Sequence, residues 1–156
     1  FGVVEGGSVV YVERVRAGLT RLGVDIRIGS GIPAGINVLG QAILAFLPAA
    51  DLDQVLALQG SQSGYPAVSR TRLLKQLKNV QAEGFAASAS QVSAGLNVLA
   101  VPILDEGAYP IGAISVASPS VICPLAEMQQ LALQKLRGAA SDLAKVMQIS
   151  GSNRVG

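Results

Sequence analysis

Residues 22–47 read LGVDIRIGSGIPAGINVLGQAILAFL, and the change of texture along them decides the fold. Leu22, Val24, Ile26 and Ile28 alternate with Gly23, Asp25 and Arg27, the period-two pattern of a strand with one wet face. Gly29, Gly31, Pro33 and Gly35 then interrupt regular structure, because glycine tolerates positive φ and proline offers no backbone donor. From Ile36 onward, Leu39, Ile43, Leu44 and Leu47 recur at helical spacing. The first N–H groups of such a helix have no partner within it, and the dipole makes that end positive. The pattern predicts a place for a small anionic group in front of Ile36 to Leu39, which is a binding geometry rather than a catalytic one.

Upstream of this stretch, Phe1 to Val4 and Ser8 to Val15 read as a hairpin joined at Glu5, Gly6 and Gly7. Downstream, Pro48 ends the helix and Asp51 is placed to cap a short one through Leu58. Gln59 to Pro66 has the composition of a loop. Arg70 to Glu83 reads as an amphipathic helix closed by Gly84, with Leu73, Leu77 and Val80 on one side. Leu96–Leu104 and Tyr109–Ser118 form a second apolar hairpin turning at Asp105, Glu106 and Gly107. A last helix carries Leu125, Met128, Ala132, Leu136, Ala139, Leu143 and Val146 as a predicted buried stripe. Hairpins at both ends leave no room for parallel crossovers, so the expectation is α+β, an antiparallel sheet with helices on its faces.

The chain is 156 residues long, half of them apolar and 14% charged, enough for one domain with a real core. A net charge of +2 is too small to mark a nucleic-acid surface. Three long segments carry no charge: Ile28–Ala50, Gly84–Leu104 and Gly107–Ala126. Polar residues such as Asn37, Gln41, Ser93 and Asn97 interrupt the first two, and Pro110, Pro119 and Pro124 the third. They read as walls of the interior or of a ligand cavity rather than as membrane spans. One cysteine, Cys123, forms no internal disulfide and fits a reducing, cytoplasmic setting. The chain opens on Phe1 without a signal-peptide layout and reads as one domain, 1–156, of a longer protein.

Histidine is absent, which excludes Ser-His-Asp and Cys-His catalysis and removes the commonest metal ligand. There is neither a G-x-S-x-G elbow nor an S-x-x-K spacing. Asp51 with Asp53 opens a helix and Asp105 with Glu106 sits in a turn, so structural roles are expected of both pairs. Cys123, between Ile122 and Pro124, reads as a small buried hydrophobe. Gly29 to Gly35 approaches a dinucleotide fingerprint, but its third glycine comes one residue late and no acidic residue follows about twenty positions on. Small-anion binding, nucleotide binding and a purely structural turn all stay open for it. Arg70, Arg72, Lys75 and Lys78 read as a solvated helix face. No catalytic residue, metal site or cofactor is expected.

In order along the chain, these segments resemble the C-terminal effector-binding domain of the IclR family of bacterial transcriptional regulators. The resemblance rests on SVVYVERV (Ser8–Val15) and RIGSGIPAGINVLGQAILAFLP (Arg27–Pro48). It continues through LKNVQAEGFAASASQVSAGLNVLAVPI (Leu77–Ile103) and GAISVASP (Gly112–Pro119). It implies a GAF-like fold with six antiparallel strands and a winged helix-turn-helix outside this chain. It also implies a small-molecule effector, often a carboxylic acid, contact with DNA only through the helix-turn-helix, and a homodimer or homotetramer in the cytoplasm.

Carried over position by position, the resemblance implies effector-carboxylate amides at Val38 and Leu39 and a hydrogen-bonding serine at Ser115. Pocket-lining apolar positions fall on Val24, Ile32 and Leu96. Three positions depart from organic-acid-binding relatives: Ser88 stands for an aspartate, Val98 for a cysteine and Ala117 for a second serine. Gly35 replaces a histidine, and Ser90 with Gln91 an acidic pair. Losing the aspartate relieves repulsion of an anion, while Val98 and Ala117 remove polar partners. A ligand polar group buried without a partner costs roughly 1–3 kcal/mol. The expected ligand is therefore an acid or amide with an apolar tail, with a neutral aromatic compound as the other candidate. Two alternatives to a sensor remain: an assembly module with no open pocket, or a small nucleotide- or cofactor-binding enzyme.

Overall fold

Two glycines at positive φ, Gly6 (55°) and Gly7 (84°), turn the chain between Glu5 and Ser8. Both central residues of this two-residue turn need φ > 0, which glycine supplies without strain. The hairpin they close, β1 (Gly2–Glu5) and β2 (Ser8–Tyr11), begins a computed structural model that describes residues 1–16, 31–59 and 64–152, with side chains as far as 148. The expected strand Leu22–Ile28 and most of the tip of the Gln59–Pro66 loop lie outside the described residues.

The remaining elements follow in order. They are β3 (Gly31–Pro33), α1 (Val38–Leu44), α2 (Ala49–Gln59), α3 (Arg70–Glu83), β4 (Ala86–Ala89), β5 (Leu96–Leu104), β6 (Pro110–Pro119) and α4 (Leu125–Ser152). The strands form one six-stranded sheet in the order β3-β2-β1-β6-β5-β4 with every pairing antiparallel. The α+β, six-stranded expectation is borne out.

α1 lies on one face of the sheet with α3 on its outer side, and α4 covers the other face. The alternation along β5 divides the core between them. Ala100 belongs with Val9, Leu39, Leu44 and Leu73 on the α1 side, whereas Leu99, Val101 and Ile103 join Met128, Leu136, Ala140 and Ala144 on the α4 side. Both clusters are apolar and fully buried, so the sheet is a wall between two cores.

Several boundaries shift from the sequence reading, each for a local reason. The helix predicted from Ile36 starts at Val38, because Asn37 takes an extended conformation and caps it. Gly31-Ile32-Pro33 is an edge strand paired with Ser8–Val10 rather than part of the bend, and an edge is where proline's missing donor is tolerated. β2 stops at Tyr11, not Val15. α2 begins at Ala49, where the Pro48 carbonyl accepts from Leu52 N–H, so Asp51 sits inside the first turn instead of capping it. β4 was not foreseen, since AASA carries no apolar period. On α4 the buried stripe drifts to Ala140 and Ala144, and Val146 is 59% exposed. α3 and β5 fall where the spacing places them, with Gly84 in the left-handed cap at φ 80°. Among the described residues no helix is long and apolar enough to cross a membrane.

Candidate functional site

The segment between β3 and α1 is tied down at each of its first three N–H groups. Ala34 N–H donates to Gly7 O (3.0 Å), Ile36 N–H to Pro33 O (3.3 Å) and Gly35 N–H to Gln59 Oε1 (2.8 Å). Gln41, one turn into α1, returns its Nε2 to Gly35 O at 2.9 Å. The helix then starts against this turn with almost no clearance, since a Cβ on Gly40 would stand 2.3 Å from Ala34 O.

Asn37 is the hub of the arrangement. Its Oδ1 accepts from Leu39 N–H at 2.9 Å and from Gly40 N–H at 3.3 Å, and its Nδ2 donates to Tyr11 Oη at 2.9 Å. Asparagine is among the best N-cap residues because a short side-chain acceptor reaches two helical amides. Among the described residues, nothing accepts from the N–H of Val38. Sequence reasoning missed Asn37, Gln41 and Tyr11. The available signal was an asparagine immediately ahead of the first periodic apolar residues.

Burial raises the Tyr11 phenol above its ordinary value of 10.0, and the Asn37 hydrogen bond opposes that rise. The unfolded chain therefore ionises this phenol before the folded one does. Stability should be whole below pH 10 and fall as pH climbs from 10.0 through the raised folded value. Urea unfolding on either side of that pH should show a smaller alkaline loss in Tyr11→Phe; an equal loss would assign the effect to other groups.

Cross-strand register places most of the expected site residues on one patch. Ser88 pairs with Val98 and Val98 with Ala117, so these three form a row across β4, β5 and β6. Ser115 pairs with Ala100, and Ala100 with Ala86, forming the adjacent row. Directly paired residues point to the same face, and Ala86 and Ala100 belong to the α1-side core, so both rows face α1. Leu96 continues the same face along β5, two residues from Val98. Small residues line this patch, and Ser88, Leu96, Val98 and Ser115 are half-buried while Ala117 is exposed.

Val38 and Leu39 are buried on α1, which packs against β4, β5 and β6. Ile32 is buried on β3 opposite Val9, at the far edge of the sheet. Val24 lies outside the described residues. Where the family resemblance puts an acidic pair, Ser90 Oγ accepts from the N–H groups of Val92 (3.2 Å) and Ser93 (2.9 Å) and shapes the β4–β5 turn.

The other groups singled out in the sequence have structural partners. Asp105 Oδ1 accepts from Gly107 and Tyr109 N–H, both at 2.9 Å, and holds the β5–β6 turn. Asp51 accepts from Tyr109 Oη at 3.0 Å. Cys123 is half-buried rather than buried, and its carbonyl accepts from Asn97 Nδ2 at 3.0 Å. Among the described residues no group of histidine, cysteine or carboxylate side chains is arranged to hold a metal. Two cavities lie apart from the β4–β5–β6 patch. One of about 340 Å³ sits between α2, α3 and β3, and one of about 430 Å³ between α1, α2, β1 and β6.

This order of elements and motifs is matched by a family model described as the C-terminal domain of the bacterial transcriptional regulator IclR, over residues 1–145. The chain belongs to the IclR family. Its IclR-type relatives include the HTH-type transcriptional regulator XynR of Escherichia coli K12, 26% identical over 75% of this chain and 47% of XynR. The Pca regulon regulatory protein of Pseudomonas putida is 26% identical over 90% of this chain and 49% of its own length. The chain thus spans about half the length of these relatives. A solved transcriptional regulator from Rhodococcus sp. RHA1 superposes with a TM-score of 0.78 at 25% identity, covering 92% of this chain and 59% of that one. These relatives are transcriptional regulators rather than enzymes.

Proposed function

We propose that this IclR-family domain binds a small metabolite on the α1-facing patch of β4, β5 and β6, and that binding is read out as a change in DNA attachment. The observation that carries the reading is the patch itself. Ser88, Val98, Ala117 and Ser115 stand in adjacent rows on one face, half-buried to exposed, beside a sealed apolar core. Ser88, Ser115 and Ala117 are small side chains, and Ser115 supplies a hydroxyl.

The favoured ligand is an organic acid or amide with an apolar tail. Its polar end would take the N–H of Val38, Ser115 and, if Asn37 turns aside, the N–H of Leu39. Its tail would lie along Leu96, Val98 and Ala117, with Ser88 beside them and Val24 completing the set; Ile32, at the far edge of the sheet, would take no direct part. A DNA-reading helix-turn-helix would belong to the rest of the protein. A ligand that prefers one arrangement of a homodimer or homotetramer would shift the spacing of those heads by linkage. The proposed setting is the cytoplasm, with no membrane partner.

One observation favours the assembly-module reading instead: Asn37 already satisfies the Leu39 and Gly40 amides from within. Thermal unfolding against a panel of carboxylic acids, amides and neutral aromatics separates the two. A ligand at about 100 times its dissociation constant adds roughly 2.7 kcal/mol to the folded state, which for a chain of this size raises the midpoint by about 5–10 °C. The expected result is a rise with a subset of acids or amides that shrinks by at least half in Ser115→Ala. A rise with neutral aromatics alone would keep the sensor and discard the polar anchor. No rise with any compound would leave the module.

A further inference from the structure

The cavity of about 340 Å³ between α2, α3 and β3 has no part in the site proposed above, and its walls have the chemistry of a ligand site in their own right. Pro33, Leu56, Val68 and Leu73 make an apolar slot, of a volume usual for small-molecule sites. Leu73 is fully buried, and Leu56 and Val68 pack on the α1-side core, so the floor is rigid.

Beside the Tyr65 phenol, two nitrogen-bearing side chains line the slot with donors to spare. Gln59 is oriented by its own acceptor, since Oε1 receives Gly35 N–H at 2.8 Å. That bond fixes the amide plane, and Nε2 makes no bond among the described residues. Arg70 is held at the mouth by Asp53, which takes one Nη2; a guanidinium has five N–H donors, so others remain. Donors without a matching acceptor select an electron-rich oxygen, and a carboxylate answers both at once.

We propose that this slot binds a small aromatic carboxylate, its ring between Pro33, Leu56, Val68 and Leu73 and its oxygens on Gln59 Nε2 and the Arg70 guanidinium. The site is physically joined to the start of α1. Gln59 grips Gly35 N–H while Gln41 of α1 grips Gly35 O, so a ligand on Gln59 bears directly on the turn that Asn37 caps.

The test is a heteronuclear NMR titration of this chain with sodium benzoate into the millimolar range. Saturable shifts are expected at the Gln59 side-chain amide and at the backbone of Leu56, Val68 and Leu73. Gln59→Glu keeps the oxygen that receives Gly35 N–H but replaces the donor by a negative oxygen, and should weaken binding at least tenfold, about what a charge-assisted hydrogen bond contributes. Ala67→Phe fills the slot from its exposed wall and should abolish the shifts without touching either anchor. Benzyl alcohol, with the ring but no carboxylate, should bind at least about tenfold more weakly on the same grounds.

Shifts confined to Ser88, Val98 and Ser115 would overturn the second site while supporting the effector face. Equal binding by Gln59→Glu, by Ala67→Phe or by benzyl alcohol would overturn it too, as would the absence of saturable shifts anywhere.

Discussion

Alanine in place of Gly40 is expected to destabilise the fold by about 3 kcal/mol, the upper range for overpacking a closed interior, and to lower the thermal midpoint by roughly 6–12 °C. The added Cβ would meet Ala34 O at 2.3 Å, Ala34 Cα at 2.8 Å and Val9 Cγ2 at 2.8 Å. Two of these are backbone atoms of the turn that feeds α1, so no rotamer change relieves them. Glycine also lowers helix propensity by about 1 kcal/mol relative to alanine, which opposes the clash and makes the sign informative. Equilibrium unfolding in urea measures the balance. A variant as stable as the parent would mean that α1 sits further from the Gly35 turn than the contact with Ala34 requires. The same clash should loosen the Asn37 cap, because the helix can only move away from the turn that carries it.

Much of this architecture was legible because the chain punctuates itself. Ser69 and Gly84 bound α3, and the Asp105 turn separates two strands whose apolar content is nearly continuous. The failures are equally physical. β4 is written in Ala86, Ala87, Ser88 and Ala89, side chains too small to show a period, and it exists because β5 offers it an edge. β3 holds a glycine and a proline within three residues, which reads as a turn until the pairing with Val9 and Val10 is seen. On α4, a stripe extrapolated over about six turns drifted off the buried face, because 3.6 residues per turn does not keep step with one list of apolar positions. The patch formed by Ser88, Val98, Ser115 and Ala117 could be located only through the family resemblance. Residue type alone gives no reason to associate two serines, a valine and an alanine spread over thirty positions of sequence. Gln59 was unreadable for the same reason: its partner, Gly35, is 24 residues away.

Asn37→Ala is expected to move stability and ligand response in opposite directions. The side chain is 5% exposed and occupies three groups: the N–H of Leu39, the N–H of Gly40 and the Tyr11 hydroxyl. Loss of the cap contributes about 1 kcal/mol, and leaving buried polar groups unsatisfied adds roughly 1–3 kcal/mol. The ligand-free domain should therefore lose about 2–4 kcal/mol in urea unfolding. One of the vacated amides, the N–H of Leu39, is where the proposed effector's polar end would bind beside Val38 N–H, and in the parent Asn37 competes for it. With the competitor removed, an acid that stabilises the parent should stabilise Asn37→Ala by more, recovering part of the loss. Asn37→Asp separates charge from geometry: it keeps the cap acceptor but sets a carboxylate against an incoming one, so the domain should stay folded while its response to acids falls. If Asn37→Ala instead loses the response entirely, the ligand's polar end rests on the Asn37 amide itself. The helix N–H groups would then be structural, and the specificity of the site would lie in the Asn37–Tyr11 pair.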